Sequence, residues 1–281
     1  ISGLATANVD ALDAFDDTLV LSLAQVNALN GVTLNTDDVV TVQDTAANLE
    51  ALVPGEFTQL VSLNVDEISS TTGILSLTVD QLAAFGTLKV AASDTATLSD
   101  AGAAIGGMLA ADIAALSVKG IDSINVSDDV LSLDVEQALA LGSVGFDAAD
   151  AVTILDSAAN LQALTAANIT ALAALGIDAL DSTDGSLSLD VAQYSALAAS
   201  SMSLTPGDTV TLLDTGSAIA GLDSSAFAQL DTNGIDIIDA DDDALSLTVA
   251  QYEALGPVTL TEGDIVTLAD TGTELSALTA I

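Results

Sequence analysis

Aspartate is the residue type through which this chain could do chemistry, and it comes in clusters. Asp16-Asp17, Asp37-Asp38, Asp128-Asp129 and Asp241-Asp242-Asp243 are runs, while Asp184, Asp208 and Asp264 each stand beside a glycine. Hard carboxylate oxygens in turns suit calcium. Asp128, Asp129, Asp184, Asp208, Asp241, Asp242, Asp243 and Asp264 are therefore the candidate calcium ligands. Neither an EF-hand loop nor the Gly-Gly-x-Gly-x-Asp nonapeptide accompanies them. The plainer reading makes Asp and Gly turn formers whose charge keeps the surface soluble. The sequence carries both readings and implies no other cofactor.

The rest of the catalytic inventory is empty. There is no His, Cys, Arg or Trp, so Ser-His-Asp and Cys-His nucleophiles, zinc centres and phosphate clamps cannot be assembled. A carboxylate pair for glycoside cleavage remains, with Asp241-Asp242-Asp243 as the most irregular acidic cluster. Yet nearly every Asp recurs in each repeat, whereas a catalytic site is needed once. Aromatic platforms for sugars are also scarce, at 2% of residues. No enzyme is expected.

Forty-one acidic residues face two lysines, Lys89 and Lys119, for a net charge of −39. Nucleic acid needs a basic footprint and an anionic membrane repels such a chain, so neither is an expected partner. Salt bridges cannot neutralise the carboxylates, which leaves water, salt or bound cations to screen them. Hydrophobic residues at 50% set the chain apart from acidic disordered segments. No run reaches the roughly 18 apolar residues of a membrane-spanning helix. Without cysteine there is no disulfide framework. Two lysines give a trypsin-like protease two cut points, which suits a surface material exposed to proteases.

Behind the aspartates lies one segment rewritten. Ile177 to Leu197, IDALDSTDGSLSLDVAQYSAL, returns from Ile121 and Ile235, with weaker copies from Val65 and Val9. The openings at 9, 65, 121, 177 and 235 are 56, 56, 56 and 58 residues apart. A second block, VTLLDTGSAIAGL from Val210, keeps step through Asp44, Asp100, Asp156, Asp214 and Asp270. A fixed period in this range belongs to a stacked array whose units bury their apolar faces on one another. The expected organisation is one array over 1–281, with repeats at about 9–64, 65–120, 121–176, 177–234 and 235–281. The last repeat is incomplete, 1–8 is the remnant of an earlier one, and both ends fall in mid-repeat, as in a piece of a longer array.

Within a repeat, Leu187-Ser-Leu189 alternates like a half-buried strand. Asp190 with Gln193 three residues on has the spacing of a capping box, repeated at Thr78, Asp134 and Thr248 with Gln81, Gln137 and Gln251. The first copy reads as two residues short here. Val210-Thr-Leu212 is a second strand, and Asp214 and its counterparts are expected helix N-caps. A longer helix runs through Ala166, with Gly120, Gly176 and Gly234 as stops. Phe57, Ile113, Ile169 and Phe227 share one core column, and Leu60, Leu116, Leu172 and Leu230 another. Thr87 to Gly107 is poor in large apolar residues, which predicts the lowest local stability. Asp10, Asp66, Asp122, Asp178 and Asp236 also form a column. Stacked directly, they would lie about 5 Å apart and repel, so either cations line them or another coil separates them.

These features predict an α/β repeat solenoid of stacked parallel short strands and short helices, with two coils in each 56-residue repeat. At about 4.8 Å per strand layer, roughly ten coils would make a rod on the order of 50 Å long. IDALDSTDGSL, with apolar residues at its first, fourth and eleventh places, has a likeness to the leucine-rich-repeat core. The whole chain, in composition and repeat style, resembles the long, acidic, cysteine-free repeat regions of giant bacterial surface proteins exported by type I secretion. That resemblance implies a secreted, extracellular or cell-surface structural module of an adhesin, stalk, sheath or filament, whose partners are itself, end to end or laterally, or other surface components. A calcium-dependent binding module is the alternative, and a carbohydrate-active β-helix enzyme a third.

Overall fold

The computed structural model describes residues 1–278. Short helices alternate with short strands, and the paired strands run parallel. The chain packs as two compact units, Ile1–Leu131 with Ala140–Asp150, and Ser132–Leu139 with Ala151–Ile281.

Parallel neighbours cannot be joined by a tight turn and need a crossover. In the first unit, strand Val39–Asp44 buries Val40 and Val42 completely and turns Val39 and Gln43 outward, the period-2 pattern of a sheet with one covered face. Thr45 caps helix Ala46–Glu50, and Pro54, whose missing N–H costs nothing at a helix start, opens helix Pro54–Ser62. Leu49 of the first helix is buried, and Phe57 and Leu60 of the second are buried, Phe57 against the ring of Phe85. Each such side chain contributes about 1.5–3 kcal/mol of burial. The chain then returns as strand Glu67–Ser70 beside Val39–Asp44, with Thr41 opposite Glu67.

The other half of the repeat is built differently. Strand Glu67–Ser70 turns into strand Ile74–Leu77, then comes helix Val79–Ala83 and the two-residue strand Lys89–Val90. In the first unit, Thr18–Leu21, Val39–Asp44, Glu67–Ser70 and Lys89–Val90 make one four-stranded sheet. Ile74–Leu77, Thr95–Asp100, Ser123–Val126 and Gly145–Phe146 make another. The second unit has the same pattern, with Ser186–Leu189, Thr209–Asp214, Ile237–Ala240 and Thr259–Leu260 in one sheet and Ala151–Asp156, Ala179–Ser182 and Ser203–Leu204 side by side.

The turn between the two short strands needs a left-handed residue. It is Asp17, Gly73, Asp129, Gly185 or Asp243, with φ of 55°, 69°, 59°, 67° and 54°. Glycine enters this region freely and aspartate is among the few others that tolerate it. The stops expected at Gly120, Gly176 and Gly234 are also left-handed, at 82°, 92° and 87°, with Asn64 in the same place at 61°.

The first repeat corrects the sequence reading. Nothing is missing there: Ser22 caps helix Leu23–Asn27 and Gln25 closes the capping box, in the register of Thr78 and Gln81. Ser in place of Thr or Asp hid the match. The one real length change, between Leu197 and Met202, goes partly into helix Val191–Ala198, which has eight residues against five in Val79–Ala83.

Candidate functional site

The aspartates are organised around backbone amides. Among the described residues, Asp38, Asp66, Asp94, Asp122, Asp150, Asp178, Asp208, Asp236 and Asp264 each accept a hydrogen bond from a backbone N–H lying 24 or 26 residues earlier. The donors are Ala14, Val40, Ser70, Ala96, Val126, Val152, Ser182, Val210 and Ala240, in that order. Apart from the shorter Asp94 bond, the distances are 2.8–3.2 Å. In four of the nine the grip is double. Asp66, Asp122, Asp178 and Asp236 also donate their own N–H to the carbonyl of the residue they hold, at Val40, Ala96, Val152 and Val210. Val40, Ala96, Val152 and Val210 stand one residue before their strand begins to pair with the next, so there the carboxylate supplies the acceptor that the sheet does not yet provide. Ser70, Val126, Ser182 and Ala240 are instead the last residues of their strands.

This settles the column of like charges. Asp66 precedes strand Glu67–Ser70 and Asp122 precedes strand Ser123–Val126, which belong to different sheets. Each of the two faces an amide dipole. A hydrogen bond to an ionised acceptor contributes about 1.5–3 kcal/mol, more than a neutral one.

A second set sits at helix starts. Asp44, Asp100, Asp156, Asp214 and Asp270 were expected as N-caps, and the structure moves that role one residue on. Thr45, Ser157, Thr215 and Thr271 cap the helices that follow, while Ala101 lacks a side-chain cap. The aspartates instead reach back 21 or 23 residues to the first N–H of another helix, at Leu23, Val79, Val135, Val191 and Val249. Those amides have no partner inside their own helix and favour negative charge. Asn48 and the Thr45 N–H hold the Asp44 carboxyl below its ordinary value. Burial opposes the same effect at Asp156, where the Val135 N–H, Asn160 and Ser157 prevail and lower it.

The candidate calcium ligands fall within this scheme. Asp128, Asp184 and Asp242 accept from Gly102, Ala158 and Gly216, the first residues of three helices, at 2.8–2.9 Å. Asp208 and Asp264 belong to the amide-holding series. Asp129 and Asp243 occupy the left-handed turn position, and the Asp241 N–H donates to the Asp214 carbonyl. The structure brings no three of the described acidic residues together in a group able to hold a metal ion. Two oxygens stand apart, since Oδ1 of Asp38 and of Asp264 is buried with no partner. Asp150 is the third special case. Burial pushes its carboxyl above the ordinary value, and Asp147 and Asp129 add to the effect.

Glutamine completes the pattern. Gln81, Gln193 and Gln251 accept from the N–H of their N-cap residues through Oε1. Through Nε2 each donates to two carbonyls about 30 residues earlier: Glu50 and Leu52, Gln162 and Leu164, Ala220 and Leu222. The side chain is buried and commits both of its N–H groups and its oxygen to one helix start and one helix end.

A cleft of about 460 Å³ in the second unit, between Met202–Asp208 and Asp231–Asp236, marks where the two extra residues fall. Asp208 and Asp236 on its wall are engaged with Ser182 and Val210. No described helix is long and apolar enough to cross a membrane.

Sequence reasoning missed the set Asp38, Asp94, Asp150, Asp208 and Asp264 as the counterpart of Asp66, Asp122, Asp178 and Asp236. The signal was present, because the merged series advances by 28 residues throughout, with one step of 30. A scan of the chain against protein-family models finds no match, and a search of curated proteins finds no significant relative.

Proposed function

We propose that this chain is a non-catalytic structural segment, a solenoid of two coils per 56-residue repeat that supplies length and stiffness to a bacterial extracellular surface protein such as an adhesin, stalk, sheath or filament. One observation carries the reading. The same carboxylate-to-amide bond recurs nine times at near-constant spacing, so the aspartates join successive turns of chain and do not converge on a site. Catalysis concentrates unusual groups in one place, whereas here the groups are distributed. The array is the function.

The test is removal of one whole repeat, residues 121–176, which joins Gly120 to Ile177 in phase. A solenoid loses one layer and still folds, with an unchanged circular-dichroism shape and a urea dependence reduced in proportion to the lost surface. A chain that fails to fold without this repeat overturns the reading. The calcium alternative keeps one observation of its own, the unpartnered buried Oδ1 of Asp38 and Asp264. It competes with the scaffold only if a cation at those positions is needed for folding.

A further inference from the structure

We infer that the cleft of about 460 Å³ beside the two extra residues of the fourth repeat takes a primary alkylammonium, the charged end of a free aliphatic diamine or of a lysine side chain. The 56-residue step becomes 58 here and only here. The size is that of a small-molecule site.

One wall is strand Ser203–Leu204 with the turn to Asp208, and the other is the segment Asp231–Asp236. Leu197 and Met202, 2% and 5% exposed, are the buried members of the lining and suit an alkyl stem. Asp208, Asp231 and Asp236 supply the charge. Oδ2 of Asp208 and of Asp236 accepts from the Ser182 and Val210 N–H at 2.8 Å. That leaves Oδ1 of each, and both oxygens of Asp231, for a donor from outside. Asp231 stands where the other repeats have Val61, Ser117 and Ala173, so its charge belongs to this repeat.

The chain's own lysines mark the same place in another repeat. In the second repeat the columns of Ser203 and Asn233 hold Lys89 and Lys119, the only basic side chains in the sequence. Lys89 Nζ lies 3.5 Å from Glu67, and Lys119 Nζ donates to the Leu82 carbonyl at 2.7 Å in an apolar setting that includes Leu116. There the Val90 N–H also donates to the Lys119 carbonyl at 2.9 Å and ties the two segments together. In the fourth repeat Leu204 stands for Val90, and no described amide donates to the Asn233 carbonyl. Asn233 is itself fixed by its Nδ2, which donates to the Tyr194 hydroxyl at 3.2 Å. The second unit has no basic side chain at all. Carboxylate and carbonyl acceptors thus line an apolar cleft with no cation of their own, which is the complement of an ammonium on an alkyl stem. A net charge of −39 repels an anion, and the lining offers a sugar no aromatic ring. No three described acidic residues form a group for a metal ion.

The test is calorimetric titration of the 281-residue protein at low salt with cadaverine, a free diamine, and with N-acetyl-lysine amide, the peptide-bound equivalent. One saturable site should appear and weaken as salt rises. Pentanediol, a stem without charge, and magnesium, a charge without a stem, should not compete. Asp231→Asn should weaken binding roughly two- to fivefold, the worth of one exposed ion pair. Ser203→Lys, which copies Lys89, should weaken it about tenfold or more by tethering an ammonium beside the cleft. Replacing residues 198–201 by the Gly-Ser pair found at Gly142-Ser143 restores the 56-residue step and should abolish binding. Circular dichroism should match the parent in each case, and the two substitutions decide if the shortened chain fails to fold. Tighter binding of cadaverine assigns the site to a free polyamine, and tighter binding of the lysine amide to a protein side chain; both uphold the inference. Absence of a saturable site overturns it. So does binding that ignores both Asp231→Asn and Ser203→Lys, since small changes to a charge of −39 leave diffuse counterion attraction intact. Neither result touches the scaffold reading, which stands or falls on folding without residues 121–176.

Discussion

Asp122→Ala isolates a single carboxylate-to-amide bond. Oδ2 of Asp122 lies 2.8 Å from the Ala96 nitrogen, and Ala96 is fully buried. Truncation leaves that N–H without an acceptor where water does not reach. An unpaired buried amide costs about 1–3 kcal/mol, and the upper half of that range applies because the lost acceptor is charged. The expected loss is therefore about 2 kcal/mol. Hydrogen exchange at the Ala96 amide reads this directly, since a local loss of that size speeds opening roughly thirtyfold. Asp122→Asn keeps one oxygen acceptor without the charge and should recover about half of the loss. Asp112→Ala, at an exposed position, should stay within about 0.5 kcal/mol of the parent. The measurements belong in chelator and again in calcium. If Asp122→Ala behaves like Asp112→Ala, or its effect appears only with calcium present, the carboxylates are not holding the backbone and the reasoning fails.

Asp150→Asn should be neutral or slightly stabilising at pH 7, because Asn still accepts from Val126 while relieving a charge that burial, Asp147 and Asp129 disfavour. The raised carboxyl favours the fold fully below its unfolded value of 3.8, and that contribution disappears as pH climbs through the folded value. Asp44 and Asp156 act oppositely: their stabilisation is present above 3.8 and disappears as pH falls through the lowered values, so Asp44→Asn should flatten the acid limb of a stability profile. Gln193→Ala should cost about 2–4 kcal/mol in urea unfolding, since it strands the Asp190 N–H and the carbonyls of Gln162 and Leu164, and Gln193→Glu should be no better because a carboxylate repels those carbonyls. Calcium up to the roughly millimolar affinity of extracellular modules should raise the melting temperature no more than magnesium does, and any calcium-specific rise should vanish in the Asp38→Asn, Asp264→Asn double variant. Exchange across Gly102–Gly106 should be faster than across Ala158–Gln162, because two glycines weaken that helix and Ala101 gives it no cap.

Strand and helix types were readable from the sequence because they depend on local patterns. Leu187-Ser-Leu189 alternates, Asp190 with Gln193 caps, and Gly176 stops a helix, each within a few residues. The roles of the aspartates were not readable in the same way. Whether Asp44 caps its own helix or reaches Leu23 depends on which turns of chain lie side by side, and that is a tertiary fact. Asp129 and Asp243 looked like ligands because they adjoin Asp128 and Asp242, yet Gly73 and Gly185 in their column already marked the place as a left-handed turn. Asp38 stood out only as half of the run Asp37-Asp38, and Asp94 not at all, because the two halves of the repeat differ in their elements and so hid a common 28-residue step.

The near-absence of basic residues fits this construction. In the stacked array we propose, a lysine could pair with a carboxylate one layer off as readily as with the right one, because every layer offers an aspartate. An amide cannot slip in that way. The N–H of Val152 points to one place in the sheet and only Asp178 reaches it, and Asp178 also fixes itself to the Val152 carbonyl. Sliding a strand by one residue would strand such amides along the whole unit, in addition to turning Val152 and Ile154 outward. Carboxylates with backbone donors therefore specify register, and removing competing cations removes the wrong registers. On this argument, a lysine placed in an outward strand position such as Ser188 should raise simple ion-pair stability slightly. It should also broaden the unfolding transition, because some molecules would fold with layers mispaired.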